Sequence, residues 1–162
     1  MMGLTMQTSE EVRSGLQSNV ADAARILIVC DDEVERKRLT VLLLEAGFDS
    51  DCAESLTAGC AAAKSGQYQV VVSIPQLKDG SWKRLADMAV RYDLRFEVVV
   101  WARNFDLTDW AGALDNGAFD VLDAVYEQHR MVEATKCALW AAYLKGAGPM
   151  PRVNPPHHTA VA

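Results

Sequence analysis

Short apolar runs alternate along the chain with segments in which apolar residues recur every three or four positions. The first run, within Arg25–Cys30, lacks the polar alternation of a half-exposed strand and is typical of a strand covered on both faces. Strands that alternate with helices form a parallel sheet between two helical layers. The pattern therefore predicts a doubly wound α/β fold with three αβα layers and a five-stranded parallel sheet, its strands at Arg25–Cys30, Ser50–Ala53, Val70–Ser73, Glu97–Trp101 and Val121–Asp123.

Five helices are predicted between and after these strands from the spacing of their apolar residues. The first ends at Gly47 and the fourth at Asn116-Gly117, since both residue types commonly stop helices. Ser81 or Asp79 is placed to cap the start of the third helix. The apolar positions that define the five helices are Leu39, Leu42, Leu43 and Ala46; Leu56, Cys60 and Ala63; Trp82, Leu85, Ala86 and Ala89; Leu107, Trp110, Ala111 and Leu114; and Val132, Thr135, Leu139 and Ala142.

The regular pattern covers residues 25–145 and predicts one domain there. Residues 1–24 are polar and are predicted to form an extension with one short helix around Ser9–Gln17. Residues 146–162 contain many helix breakers and are predicted to be a disordered tail. Neither a signal peptide nor a membrane-spanning segment is recognisable, so a cytoplasmic protein is expected.

Charge and cysteine content exclude several classes of function. A formal net charge of -6 argues against binding to nucleic acid. The four cysteines, at positions 30, 52, 60 and 137, show neither CxxC spacing nor a neighbouring histidine, which argues against a zinc site and a redox pair. They are expected to be buried thiols of a reduced protein.

Polar residues at the ends of the predicted strands are the candidates for function, because ligands of parallel sheets bind at the carboxyl ends of the strands. Asp31, Asp32 and Glu33 follow the first strand, where carboxylates can hold Mg²⁺. The alternative is that they cap the next helix and complement its dipole, which we favour for Asp32 and Glu33. For Asp31 the two interpretations are balanced.

Two stretches of sequence resemble a known family. ILIVCDDEVERKRLTVLLLEAGF is similar to the opening of receiver domains from bacterial two-component response regulators, and ALDNGAFDVL is similar to a later motif of the same domains. The resemblance implies a flavodoxin-like fold over about residues 24–145. It also implies phosphorelay chemistry, in which a histidine kinase donates a phosphoryl group to an aspartate after the third strand, with Mg²⁺ held by two acids after the first.

The residues that carry this chemistry in the family are largely replaced here. The first metal-binding acid falls on Cys30 and the second on Asp31, whereas the phosphoacceptor falls on Ser73, or on Val72 in an alignment shifted by one. The Ser or Thr that senses the phosphate falls on Trp101. The signalling Lys falls on Ala124, and the proline after it on Val125.

These replacements predict a degenerate, or pseudo-receiver, domain without catalytic residues and without a cofactor. Asp31 and Asp32 are the remnant of the acidic pocket, and only Asp31 remains as a possible Mg²⁺ ligand. Regulated phosphorylation of Ser73 is not expected, because no histidine is predicted nearby to activate it. Trp101 either plugs the pocket as a surrogate for the activated state or is ordinary hydrophobic packing.

We expect a stand-alone signalling domain that acts through protein contacts. The fourth helix, fifth strand and fifth helix are the usual interaction face of the family, and aromatic residues and Met favour interfaces. A second copy or another signalling protein is the expected partner, whereas nucleic acid and membrane are not. The alternative is that the N-terminal segment folds back and covers this face. A short basic patch, Arg36–Arg38, is expected on the exposed side of the first helix. The interface candidates are Trp110, Val125, Tyr126, Met131, Trp140, Tyr143 and Leu144.

Two alternatives remain open from the sequence. One is a conventional phosphorelay receiver in which Asp79 or Asp31 accepts the phosphoryl group. The other is a small-molecule sensor that uses the crevice at the strand ends.

Overall fold

Five parallel strands form one twisted sheet in the order β2-β1-β3-β6-β7. The computed structural model describes residues 25–148 and 150–151. The order reverses between β1 and β3, so the strand-end crevice opens beside these two strands. The strands of this sheet are β1 (Ile26–Val29), β2 (Ser50–Ala53), β3 (Val70–Ser73), β6 (Glu97–Ala102) and β7 (Asp120–Asp123).

Helices cover both faces of the sheet, which confirms the predicted doubly wound, three-layer fold. One face packs α1 and α5, with Leu39, Leu43 and Leu139 in a shared core. The other face packs α2, α3 and α4, with Leu56, Leu85 and Ala113 in a second core. The helices are α1 (Glu33–Glu45), α2 (Leu56–Ala63), α3 (Lys83–Arg91), α4 (Leu107–Asp115) and α5 (Arg130–Leu144).

A small antiparallel hairpin, absent from the sequence prediction, follows β3. Its strands are β4 (Gln76–Leu77) and β5 (Gly80–Ser81). Ser81 Oγ accepts a hydrogen bond from the Lys83 backbone N–H at 3.3 Å, but the N-cap residue of α3 is Trp82 and makes no capping hydrogen bond with its side chain, so Ser81 contacts the start of α3 without being its N-cap. The prediction for Asp79 is wrong, because its carboxylate binds the first backbone N–H groups of α2 instead.

Helix α4 has the predicted position, but most of the apolar residues from which it was predicted are not buried. Leu107 is 82% exposed and Trp110 is 38% exposed, whereas Ala113 is the buried residue of the helix. Asp106 and Asp109 form a capping box that fixes where α4 begins. The N-terminus of α4 is therefore well capped, but the helix buries only the small side chain of Ala113.

The chain beyond α5 turns back against the domain. The Ala147 backbone N–H donates to the Ala142 carbonyl, and Pro151 is buried. Residues 1–24, including the helix expected at Ser9–Gln17, and most of the predicted tail lie outside the described residues, so the predicted domain limits stay predictions. Within the described part, none of the helices is both long and apolar enough to cross a bilayer.

Candidate functional site

The carboxyl ends of β1, β3 and β6 meet at one edge of the sheet. Val29 pairs in register with Ser73, and Ser73 pairs with Val100. This register brings Cys30, Ser73 and Trp101 to neighbouring strand ends, as the sequence predicted. All three residues are buried, so the edge presents a filled core where a receiver has an open acidic pocket.

Cys30 is the residue that the sequence resemblance predicts at the position of the first metal-binding acid. Its side chain is fully buried, and its Sγ donates to the Asp32 carbonyl at 3.4 Å. Burial raises the pKa of the Cys30 thiol, and the nearby charges of Asp32 and Asp31 act in the same direction. A neutral, buried thiol does not replace the oxygen ligand that Mg²⁺ requires.

The acidic residues after β1 have structural partners. Asp32 caps α1, since its Oδ1 accepts from the backbone N–H groups of Val34 at 2.9 Å and Glu35 at 3.1 Å. Glu33 pairs with Lys37 one turn later, at 3.2 Å. The helix-capping interpretation favoured for Asp32, and the first-turn position of Glu33, are therefore confirmed.

Asp31 is the remaining candidate for a metal. Its Oδ2 accepts a hydrogen bond from the Lys78 backbone N–H at 2.8 Å, which ties the β4–β5 turn to the end of β1. Among the described residues no group of three or more His, Cys, Asp or Glu side chains is arranged to hold a metal ion. One carboxylate beside a buried thiol and a serine is a poor fit to the octahedral oxygen shell of Mg²⁺.

Ser73 lies at the end of the central strand and is one of the two residues, with Val72, that the sequence resemblance predicts at the position of the phosphoacceptor. It is fully buried, and its Oγ donates to the Ile74 carbonyl at 2.8 Å. His129, the one histidine in the described part of the chain, is exposed at the start of α5. The Ser73 hydroxyl therefore has no solvent access, and the described part of the chain places no histidine beside it to act as a base.

Trp101 makes the most informative contact at this edge. The indole is 1% exposed, and its Nε1 donates to Glu35 Oε2 at 2.7 Å. Arg103 Nη2 donates to the other oxygen, Oε1, at 2.5 Å, while Arg38 lies 3.9 Å from it. The carboxylate of Glu35 thus joins α1 to the end of β6 and to the loop that follows.

Glu35 is a buried acid that sequence reasoning missed. Burial by itself would raise the pKa of Glu35, but the hydrogen bonds from Trp101 and Arg103 and the charges of Arg103 and Arg38 lower it below its ordinary value. The carboxylate therefore stays ionised and paired. The signal was present in the spacing, because Glu35 stands four residues before Leu39 and eight before Leu43, on the stripe of α1 that faces the sheet.

Ala124, which the sequence resemblance predicts at the position of the signalling lysine, lies directly after β7. It is fully buried, and its backbone N–H donates to the Ala102 carbonyl at 2.8 Å. Ala124 and Trp101 belong to the same core cluster, so the Ala124 methyl group is part of the packed interior. Val125, at the position of the following proline, is 46% exposed.

Asp79, the proposed displaced acceptor, is bound within the fold. Its oxygens accept from the backbone N–H of Leu56, the backbone N–H of Thr57 and the hydroxyl of Thr57, each at 2.8 Å. The N–H of Thr57, the N–H of Leu56 and the Thr57 hydroxyl together lower the pKa of Asp79 from 3.8 to about 2. The carboxylate acts as a cross-chain cap of α2.

The basic patch on α1 is less exposed than expected. Arg36 donates from Nη1 to the Cys30 carbonyl at 3.0 Å and pairs with Glu54 at 3.2 Å, leaving 15% of its side chain exposed. Arg38 turns toward Glu35. The expectation of an exposed basic face is therefore wrong for Arg36, whereas Lys37 is exposed.

The interface candidates separate into exposed and buried residues. Tyr126 is 80% exposed and Leu144 is 77% exposed, in addition to Trp110 and Val125. Trp140 and Tyr143 are half-buried and contact each other edge to face, with ring centroids 5.8 Å apart. Met131 is fully buried in the core between α5 and the sheet, so its prediction as an interface residue is wrong.

The four cysteines are free thiols, as predicted. Cys30 and Cys60 are buried and Cys137 is half-buried, but Cys52 is exposed on β2, contrary to the expectation of buried thiols. Strand β2 lies at the edge of the sheet, where its middle residues face solvent.

Comparisons with known proteins agree on the fold. No protein-family model matches the sequence, and no curated protein shows significant similarity to it. Solved receiver domains do match the structure. The chain is similar to a response regulator receiver domain protein from Clostridium thermocellum (21% identity, TM-score 0.67, covering 75% of this chain and 98% of that one). It is equally similar to a CheY-like receiver domain protein from Methanospirillum hungatei (20%, 0.66, 76% and 98%).

A third similar structure is the beryllofluoride-activated NtrC4 receiver domain dimer, with 23% identity and a TM-score of 0.66 over 73% of this chain and 98% of that one. At these identities the likeness extends to the fold. The chain therefore has the fold of a response regulator receiver domain, as the sequence predicted.

Proposed function

We propose that this domain acts in signal transduction as a pseudo-receiver, through contacts with other proteins and independently of aspartyl phosphorylation. The observation that carries the proposal is the buried hydrogen bond between Trp101 and Glu35. This bond holds the Trp101 indole in the strand-end crevice, at the position where a receiver senses the phosphoryl group. A non-enzymatic, cytoplasmic role is part of this proposal.

The acceptor and metal positions support the same conclusion. Phosphoryl transfer needs a positioned nucleophile and cations that neutralise the developing charge. Here the acceptor position is the buried Ser73, and the two metal positions are the buried thiol of Cys30 and a single carboxylate, Asp31. We therefore propose that the domain functions without Mg²⁺.

A displaced acceptor is disfavoured by the contacts of both candidate aspartates. Asp79 holds the start of α2 through three hydrogen bonds, and transfer of a phosphoryl group to it would replace those bonds. Asp31 likewise holds the Lys78 backbone N–H. The carboxylate of a phosphoacceptor must instead be free to attack the incoming phosphorus.

The proposed contact face is formed by five exposed apolar residues of α4, the β7–α5 loop and the end of α5. Exposed aromatic and aliphatic side chains are favoured anchors of protein interfaces. The partner is proposed to be another signalling protein or a second copy of the chain. The residues of the contact face are Leu107, Trp110, Val125, Tyr126 and Leu144.

Phosphorylation by acetyl phosphate and Mg²⁺, followed by intact mass, tests the central part of the proposal. We expect no phosphoryl adduct under conditions that label a conventional receiver in the same experiment. A Mg²⁺-dependent adduct that disappears in Asp31→Asn or Asp79→Asn would overturn it and identify the acceptor.

Photo-crosslinking tests the contact face independently. A photoreactive amino acid at position 126 is expected to capture a protein, which mass spectrometry can identify as the same chain or another. The matched control places it at position 44, since Leu44 is also exposed but lies on α1. Equal capture at both positions, or at neither, would contradict the assignment.

A further inference from the structure

A charged groove lies between α2 and α3, away from the strand-end crevice. It has a volume of about 350 Å³, at the lower end of the range for small-molecule sites. Residues of both helices and Tyr92, just after α3, form its walls. Its charged lining residues are Lys64, Arg84, Asp87 and Arg91.

The two arginines of this groove differ from the other arginines of the described chain. Six of those, at positions 25, 36, 38, 95, 103 and 130, form ion pairs with carboxylates. Arg84 and Arg91 form none within residues 25–148, although Asp87 stands between them on α3. Two exposed guanidinium groups thus line one concave site, and neither has a carboxylate partner among the described residues.

Lys64 adds a third positive charge, at a defined place. Its Nζ lies over the ring of Tyr92, 4.4 Å from the centroid, so α2 and the end of α3 are joined by a cation–π contact. With Asp87 as the one carboxylate, the lining carries a net charge of about +2 at neutral pH. This local charge contrasts with the net charge of -6 of the whole chain.

We propose that the groove binds a small molecule that carries a phosphate group. Arginine forks match the geometry of phosphate oxygens, and a phosphate dianion balances the charge of the lining. A small ligand is favoured over a long polyanion. At physiological ionic strength the acidic residues more than about 8 Å from the groove are screened from a small ligand bound there. A long polyanion would extend beyond the groove and contact the acidic surface directly. The site is independent of the proposed function and would add a ligand-dependent input on α2 and α3.

Titration of the full chain with adenosine 5′-monophosphate and with inorganic phosphate, followed by amide NMR, tests the site. Both probes are expected to shift the resonances of Thr57, Lys64, Arg91 and Tyr92 saturably. Adenosine, which lacks the phosphate, and succinate, a dicarboxylate, are expected to leave them in place. Saturable binding of succinate as tight as that of the phosphates would overturn the assignment to phosphate, and tight binding of adenosine would overturn the role of charge.

A pair of double variants distinguishes a specific phosphate site from nonspecific electrostatic attraction of phosphate to the protein. Arg84→Gln with Arg91→Gln is expected to weaken phosphate binding at least about tenfold, since each removes a charge-assisted hydrogen bond. Lys83→Gln with Lys136→Gln removes the same charge outside the groove and is expected to change binding less than about twofold. Equal losses in the two double variants, or no saturable shift with either phosphate probe in the unmodified chain, would overturn the proposal.

Discussion

The indole Nε1 of Trp101 lies 2.7 Å from Oε2 of Glu35, and this hydrogen bond joins residues 66 positions apart in the chain. Both side chains are buried, so the bond lies in the interior of the domain. In the proposed function the indole takes the place of a phosphate-sensing hydroxyl. The carboxylate keeps it there, with Arg103 completing the pairing of the buried charge.

Replacement of Trp101 by Phe tests how much this hydrogen bond stabilises the fold. The variant loses a bond to a charged acceptor and part of a buried ring, so we expect the free energy of unfolding to fall by at least about 2 kcal/mol. Urea unfolding measures the change. Trp110→Phe is the matched control, because Trp110 is partly exposed, and should cost less than about 1 kcal/mol. If the two variants lose the same free energy of unfolding, the Trp101–Glu35 hydrogen bond does not stabilise the fold.

Acid unfolding is expected to depend on Asp79. Because its pKa is lowered from 3.8 to about 2 in the folded state, its stabilising effect is complete above pH 3.8 and is lost as the pH falls through about 2. Asp79→Asn should therefore unfold at a lower urea concentration than the unmodified chain at pH 7. The difference between the two should shrink as the pH falls below 3.8.

Asp49→Asn is the control for this experiment, since Asp49 is exposed in the loop between α1 and β2. Its unfolding midpoint should follow that of the unmodified chain at every pH. A difference for Asp79→Asn that stays constant from neutral to acidic pH would contradict the assigned role of the carboxylate.

Substitutions in and beside α5 distinguish core from contact face. Met131→Ala should reduce the free energy of unfolding by about 2–5 kcal/mol, because it removes a fully buried side chain. Tyr126→Ala should change it by no more than about 0.5 kcal/mol, because the ring is 80% exposed. Thermal or urea unfolding of the purified variants measures both. The reverse order would place Tyr126 in the core and undermine the proposed contact face.

Two helical glycines should respond to alanine with opposite signs. A methyl group at Gly112, in α4, meets no atom within 4 Å, and Gly112→Ala should raise the free energy of unfolding by about 0.5–1 kcal/mol. A methyl group at Gly59, in α2, would lie 2.7 Å from a Val29 methyl carbon on the buried strand β1. Gly59→Ala should therefore cost about 1–3 kcal/mol. Stabilisation by both substitutions would contradict the close packing of α2 on the sheet.

The strands and helices could be predicted from the sequence because their signals are local. Strands β2 and β3 have the predicted bounds, Ser50–Ala53 and Val70–Ser73, since turn residues flank each short run. Strand β6 is one residue longer than predicted, at Ala102, a residue compatible with either strand or loop. The order of elements then determined the fold class.

The site was predicted less completely because its contacts connect distant parts of the chain. The partners of Asp79 precede it by 22 and 23 residues, so its apparent position as a cap of the nearby α3 was misleading. Met131 was placed on the surface because α5 is apolar on more than one side, and periodicity alone does not identify which side faces the sheet. Glu35 was missed, although its spacing with Leu39 was a usable signal of burial, and its bond to Trp101 follows only from the three-dimensional fold.

Amide NMR spectra with Mg²⁺ alone and with Mg²⁺ plus beryllofluoride, a mimic of aspartyl phosphate, test the central claim most directly. The account predicts that the resonances of Asp31, Ser73 and Trp101, including the Trp101 indole N–H, remain in place when beryllofluoride is added. Saturable, Mg²⁺-dependent shifts of these resonances together would contradict it, because they would show that the strand-end crevice still accepts a phosphoryl group.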